Sequence, residues 1–181
     1  MKIITGRYKG KNLVMPKGIR PTQNVVRKAI FDILGDISGL AFLELFAGTG
    51  AVGFEALSLG AAEVALVESN RGASEAIRKN IEGLKAQNCC LYPLEADEAI
   101  RVLHKEKKFF DVIFMDPPYY QDLPKKTLQT LSAYDILAPY GFLGVQHFKK
   151  DALPEEGQKL NLLKVSRYGD TFLTIYQKTE A

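Results

Sequence analysis

Acidic residues are missing from the first 31 positions of this chain. Eight basic residues stand there (Lys2, Arg7, Lys9, Lys11, Lys17, Arg20, Arg27 and Lys28), which leaves 16 basic against 21 acidic residues in the remainder. The net charge of +3 therefore conceals a cationic head on an acidic body. Clustered Lys and Arg gain free energy by releasing the counterions condensed on phosphates, so the head points to a polyanion, with a solvated basic hairpin as the bland alternative. Cysteine is scarce as well. Cys89 and Cys90 are adjacent, which excludes a disulfide framework, and they lack the spaced partners of a zinc site. They read as small core residues of a reduced, cytoplasmic protein. His104 and His147 are far apart and sit in no ligand pattern, so no metal is expected. No apolar run approaches membrane-spanning length, and Met1 to Arg7 lacks the apolar segment of a signal peptide.

What is present is an ordinary globular composition: 181 residues, 46% hydrophobic and 25% charged. That length fits one domain with a small appendage, and we place the division at residues 1–36 and 37–181. Lys2 to Met15 reads as two short strands around glycine turns, too small to hold a core alone. Thr22 is the expected N-cap of a helix carrying Val25, Val26, Ile30, Ile33 and Leu34, with Gly35 at its stop. Arg27 falls within that stripe and either snorkels or reaches an anionic substrate.

From there strand and helix alternate, the pattern of a mostly parallel α/β sheet with helices on both faces. Strands are expected at Leu40 to Phe46, Glu63 to Val67, Cys90 to Leu94, Phe110 to Met115 and Gly141 to Gln146. Helices are expected at Ala51 to Leu59, Arg71 to Lys85, from Asp97 to about His104, and Leu123 to Leu137. A hairpin of Leu160 to Tyr168 and Thr171 to Gln177 closes the chain around Gly169-Asp170.

Two stretches carry chemistry. Gly48-Thr49-Gly50-Ala51-Val52-Gly53 fits G-x-G-x-x-G between a strand and a helix, with Glu68 about twenty residues on. A nicotinamide dehydrogenase is the obvious rival reading. Glu44, close to the turn, argues against it: a carboxylate there opposes a pyrophosphate but favours an ammonium group. Glu68 suits ribose hydroxyls, and Asp97 offers an acceptor for an adenine amine. These acids fit S-adenosylmethionine better than a dinucleotide, although Glu44 as a supporting group and Asp97 as a helix cap are the structural alternatives. The second stretch is Asp116-Pro117-Pro118-Tyr119 at the carboxyl tip of an apolar strand, where open α/β sheets bind ligands. Asp116 and the Pro117 carbonyl are acceptors, the prolines bring no competing donor, and Tyr119 adds a π-face. That suits a planar ring bearing an exocyclic amine. A proline turn anchored by Tyr119 is the plain alternative.

Glu44-Leu45-Phe46-Ala47-Gly48-Thr49-Gly50 together with Asp116-Pro117-Pro118-Tyr119 resembles the class I amino-methyltransferases that act on nucleic-acid bases. Gly6-Arg7-Tyr8-Lys9-Gly10-Lys11, then Arg20-Pro21-Thr22 with Val26-Arg27 and Phe31, resembles more narrowly the RsmD-type family of bacterial 16S ribosomal RNA guanine-N2 methyltransferases. The likeness spans nearly the whole chain, including Arg167-Tyr168-Gly169-Asp170. It implies a Rossmann-like fold, with a seven-stranded sheet whose last strand is antiparallel, and S-adenosylmethionine held by Glu44, Phe46, Ala47, Gly48, Thr49, Gly50, Glu68 and Asp97. It further implies Asp116, Pro117 and Tyr119 at the target base, and Arg7, Lys9, Lys11, Arg20, Thr22 and Arg27 towards the RNA. The implied partner is 16S RNA within a 30S subunit or an assembly intermediate, met by a monomer. Gln146 departs from the Glu common in relatives, and Glu44 from the commoner Asp. An amino-methyltransferase on DNA adenine or cytosine, and a non-catalytic RNA-binding protein with this fold, are the other functions compatible with the motifs.

Overall fold

The computed structural model describes residues 1–16, 18, 22–118, 122–151, 153, 156–157 and 159–179. Five helices, α1 (Asn24–Leu34), α2 (Ala51–Ser58), α3 (Arg71–Leu84), α4 (Ala96–Lys105) and α5 (Leu123–Ala133), accompany the strands among these residues. The strands are β1 (Ala41–Leu45), β2 (Glu63–Val67), β3 (Cys89–Tyr92), β4 (Phe110–Met115), β5 (Leu137–Phe148), β6 (Glu156–Gly157), β7 (Leu160–Tyr168) and β8 (Thr171–Lys178). They form one sheet in the order β3-β2-β1-β4-β5-β8-β7-β6. The first five run parallel, and β8 pairs antiparallel with β5. Apart from the two-residue edge strand β6, this is the expected seven-stranded sheet.

Both faces of the sheet are covered, so its central strands are mainly apolar, with Glu44 in β1 a buried exception. Phe42, Val112, Phe114, Leu173 and Ile175 face one core with Val26, Ile30, Val52, Phe54 and Ile77, from α1, α2 and α3. Leu43, Leu45, Ile113, Met115 and Val145 face the other with Ile100, Leu103 and Leu128, from α4 and α5. From β1 the chain winds outwards to β3 and then returns to β4 on the other side of β1. The carboxyl ends of β1 and β4 thus flank the topological switch point, the crevice where such sheets take ligands.

The head is not built as expected. Its two strands reduce to a single antiparallel bridge, Lys2 with Asn12. What holds it is the body. Glu55 accepts from Ile4 N, Thr5 N (2.6 Å) and Thr5 Oγ1 (2.6 Å), and Val14 N donates to Asn80 Oδ1 at 2.7 Å. Arg7 N donates to the Ser58 carbonyl at 2.9 Å. Gly6 has φ +71°, and a Cβ there would lie 1.9 Å from the Ser58 carbonyl oxygen, so only glycine allows this approach. Ile3 and Leu13 enter the main core.

Two boundaries also move. The N-cap of α1 is Gln23, not Thr22, because the Thr22 hydroxyl is engaged elsewhere. Helix α5 stops at Ala133 instead of reaching Leu137. Phe110 N donates to the Ile136 carbonyl and Leu137 pairs with Phe110, so these apolar residues belong to the sheet, ahead of a register shift in β5.

Candidate active site at the switch point

The glycine turn begins where β1 ends. Phe46, Gly48 and Gly50 all have positive φ, which curls the chain back over the tip of the strand before α2 starts. The curl is fastened from three sides: Ala47 N donates to the Val67 carbonyl (2.8 Å), Gly50 N to the Ala47 carbonyl (2.7 Å) and Gly48 N to Glu68 Oε2 (2.7 Å). Ala47 and Thr49 are buried, while Phe46 and Gly48 are part-exposed on the outer lip. A Cβ on Gly53 would sit 2.4 Å from Leu66 Cδ2, so the third glycine of the pattern permits close packing of α2 on the sheet.

The four acids expected around the turn are engaged in different ways. Glu44 is 2% exposed, and its Oε2 accepts from Gly53 N at 2.8 Å. Burial, with Asp116 and Glu68 nearby, pushes its carboxyl up to about 8 despite that bond and one from the Val52 amide. Glu68 stands at the tip of β2 and spans Gly48 N and Asn70 N, both at 2.7 Å. Asp97 lies in the first turn of α4 and turns towards α5: Lys126 Nζ is 3.3 Å from Oδ2, and Thr130 Oγ1 donates to Oδ1 at 3.1 Å. The acid immediately beyond β3 is Glu95, the N-cap of α4, exposed and without a side-chain capping bond. Its signal was its position directly behind the strand, two residues before the acid that sequence reasoning selected.

The fourth is Asp116. Leu45 pairs with Met115, which brings Asp116 beside Phe46 across the crevice. Thr22 Oγ1 donates to its Oδ2 at 3.3 Å, tying the head to the strand tip. Burial raises its carboxyl to about 7, and the Thr22 bond only partly offsets this. Pro117 is buried and Pro118 exposed, so the chain leaves the sheet at this point. Tyr119 and Arg20 lie outside the described residues. No described Lys or Arg pairs with Glu44, Glu68 or Asp116. The crevice is therefore acidic, without an ion-paired cation among the described residues.

Arg27 requires a correction. It is 0% exposed, with Nη1 3.7 Å from Glu55 Oε2 and Nη2 donating to Asn24 Oδ1 (2.7 Å) and the Lys2 carbonyl (3.3 Å). It neither snorkels nor reaches a substrate, because Glu55 supplies its counter-charge inside the core. Arg7, Lys9 and Lys11 are exposed, with the Arg7 guanidinium 4.5 Å over the Tyr8 ring. Among the described residues no cluster of His, Cys, Asp or Glu is arranged to hold a metal. Cys89 is a buried thiol that its surroundings push up to about 12, an inert core group. A separate apolar cavity of about 570 Å³, floored by Ile113, Leu143 and Tyr176, opens on the α5 side of the sheet, away from these acids.

Fold and site together define a class I methyltransferase fold with its ligand crevice at the switch point. Comparison with known proteins agrees. The family model described as "Conserved hypothetical protein 95" matches residues 1–177, and the chain belongs to that family. The protein is 32% identical over 182 residues to the "Putative rRNA methyltransferase YlbH" of Bacillus subtilis (98% of this chain, 99% of that one). It is 31% identical to the "Ribosomal RNA small subunit methyltransferase D" of Escherichia coli, over 98% of this chain and 90% of the relative. Among solved structures, the putative methyltransferase yhhF of Escherichia coli superposes with a TM-score of 0.89 at 30% identity, over 100% of this chain and 99% of its own. The RsmD-type resemblance read from the motifs thus holds at the level of the family.

Proposed function

We propose that this protein transfers a methyl group from S-adenosylmethionine to the exocyclic N2 amine of a guanine in 16S ribosomal RNA, acting as a monomer on the 30S subunit or an assembly intermediate. The carrying observation is Asp116. It is a carboxylate at the tip of β4, followed by two prolines, directly across the switch point from a glycine turn held by Glu44 and Glu68, neither of them paired with a described Lys or Arg. Relatives that match over nearly their full length carry the name of ribosomal RNA methyltransferases, which supports the substrate class.

The residues fit the cofactor on their own chemistry. The turn is part-exposed at Phe46 and Gly48, Glu68 lies beside it, and no described Lys or Arg pairs with Glu44, Glu68 or Asp116. We assign Glu44 to the charge of the amino-acid moiety through the turn, Glu68 to ribose hydroxyls, and Glu95 to the adenine edge in place of Asp97, which α5 already holds. When bound, the cofactor supplies an electrophilic methyl on a sulfonium.

A guanine amine is a weak nucleophile because its lone pair is delocalised into the ring. Asp116 and the Pro117 carbonyl accept its two hydrogens, favour a tetrahedral nitrogen and aim the lone pair into the crevice. Thr22 donates to Oδ2 and so orients the carboxylate, with Oδ1 left for the amine. Tyr119 stacks on a base drawn out of its helix, a contact worth about 1–3 kcal/mol in single-stranded binding. Proton loss follows methylation, when the nitrogen has become acidic, and Asp116 or solvent takes the proton. Residues 1–36 act as the RNA grip, with Arg7, Lys9, Lys11 and Arg20 on phosphates fixing register without reading sequence.

The test is incubation with labelled S-adenosylmethionine and 30S subunits from cells lacking the activity, followed by digestion to nucleosides. Label in N2-methylguanosine is the expected result. Label in methyladenosine would keep the reaction class and overturn the base, whereas an unlabelled RNA with cofactor binding intact would redirect the search to DNA.

A further inference from the structure

Gln146 is 6% exposed, yet its Oε1 is buried with no hydrogen-bond partner among the described residues. Leaving a buried amide oxygen unpaired costs on the order of 1–3 kcal/mol, so folded chains rarely keep one without a use for it. Its place in the sheet suggests the use. Val145 pairs with Met115 in the parallel β4–β5 ladder, so one residue further on Gln146, two positions before the end of β5, stands beside Asp116, which lies just past the end of β4. Val145 and Met115 both face the α4–α5 core, and Gln146 opposes Leu173 of the other core, which puts Gln146 on the same face as Asp116.

We propose that Gln146 is the residue that makes the site select guanine. This rests on the function proposed above and names the group that reads the base. The edge of guanine presents, in order, the O6 acceptor, the N1–H donor and the N2 amine. With the amine on Asp116 and Pro117, the adjoining N1–H and O6 fall to the neighbouring strand. A primary amide is complementary to that pair: Oε1 accepts from N1–H while Nε2 donates to O6. Adenine and cytosine place a bare ring nitrogen beside their amines, so lone pair would meet lone pair at Oε1.

The experiment measures kcat/KM for the wild-type protein, Gln146→Leu and Gln146→Glu. Each is assayed on 30S particles whose mapped target is either guanosine or 2-aminopurine riboside, which keeps the N2 amine but lacks both N1–H and O6. On guanosine, Gln146→Leu should lose about 10–100-fold, the range of one bidentate base contact. Gln146→Glu, which still accepts from N1–H, should recover part of that loss. On 2-aminopurine the wild type should fall to the level of Gln146→Leu, and the two should differ by less than about threefold. Cofactor affinity, measured alongside, should stay unchanged and shows that both variants are folded. Equal losses on the two bases, or full activity of Gln146→Leu on guanosine, would overturn the inference while leaving the methyltransferase reading intact. Absence of N2-methylguanosine from the wild type would overturn the function itself, and this with it.

Discussion

Two buried glutamates, each 2% exposed and 11 residues apart, end up in opposite situations. Glu55, on α2, receives the backbone of Ile4 and Thr5 and the Thr5 hydroxyl, and faces the guanidinium of Arg27 at 3.7 Å. Glu44, on β1, receives only backbone amides, has two further acids near it, and is driven up to about 8. The first is an ion pair that fastens the basic head to the body, with Nε and Nη1 of Arg27 left without a hydrogen-bond acceptor among the described residues. The second forms no ion pair with a described Lys or Arg, and Arg27 acts on it only through its charge at longer range, which is how a site for a positively charged ligand differs from structural pairing.

Removing the group that the site is built to use should have the largest effect. Asp116→Ala should abolish methyl transfer while leaving S-adenosylmethionine affinity within a few-fold, measured by single-turnover transfer and by equilibrium binding. Wild-type turnover in that variant would sink the assignment. Breaking the ion pair should instead cost stability. Arg27→Leu leaves Glu55 buried without its cation and should destabilise the protein by about 3–5 kcal/mol in denaturant unfolding, with the head the first segment to lose hydrogen-exchange protection. The same comparison predicts that Glu44→Gln is mild. It retains an acceptor for Gly53 N, so folding at neutral pH should hold or improve, while cofactor affinity drops roughly tenfold, the upper part of a charge-assisted contact.

The contrast also explains what the sequence could convey. Strands β2 and β4 were legible to the residue, because a buried parallel strand is a short apolar run bounded by turn chemistry, and Glu63 to Val67 and Phe110 to Met115 are such runs. Ile136 and Leu137 fit a helical stripe as well as a strand, so the end of α5 was misplaced until pairing with Phe110 decided it. The turn, Glu44, Glu68 and Asp116 were visible as acids beside strand tips. Arg27 was not, because its partner lies 28 residues on, and a guanidinium in a basic stretch looks the same in sequence whether it is solvated or neutralised in a core. Asp97 and Glu95 differ by two positions, which on a helix start is enough to turn one side chain onto α5 and leave the other beside the strand.

The two acids with raised pKa values give a pH signature of definite sign. Glu44 (about 8) and Asp116 (about 7) bind protons more tightly folded than unfolded, where carboxyls titrate near 4. Between about pH 4 and 8 the folded state therefore holds more protons, and stability of the cofactor-free protein should fall as pH rises through that window. Thermal melts from pH 5 to 8.5 should show this, with a shallower slope for Glu44→Gln. Activity should run the other way. An ionised Asp116 is the better acceptor, so kcat/KM should rise through about pH 7, and kcat at saturating cofactor should rise at lower pH because the bound cation favours both carboxylates.

The smallest expected effect belongs to the exposed part of the head. Arg7, Lys9 and Lys11 lie in solvent, so replacing all three with Ala should leave unfolding almost unchanged, unlike loss of Arg27 from the same segment. RNA binding should weaken uniformly across sequences, and the slope of log K against log salt should flatten by roughly 0.7–0.9 for each phosphate contact removed. Turnover at saturating RNA should be preserved, since none of the three stands at the strand tips. An unchanged salt slope would move the RNA grip away from these three side chains, and a large stability loss would place them with Arg27 as part of the fastening.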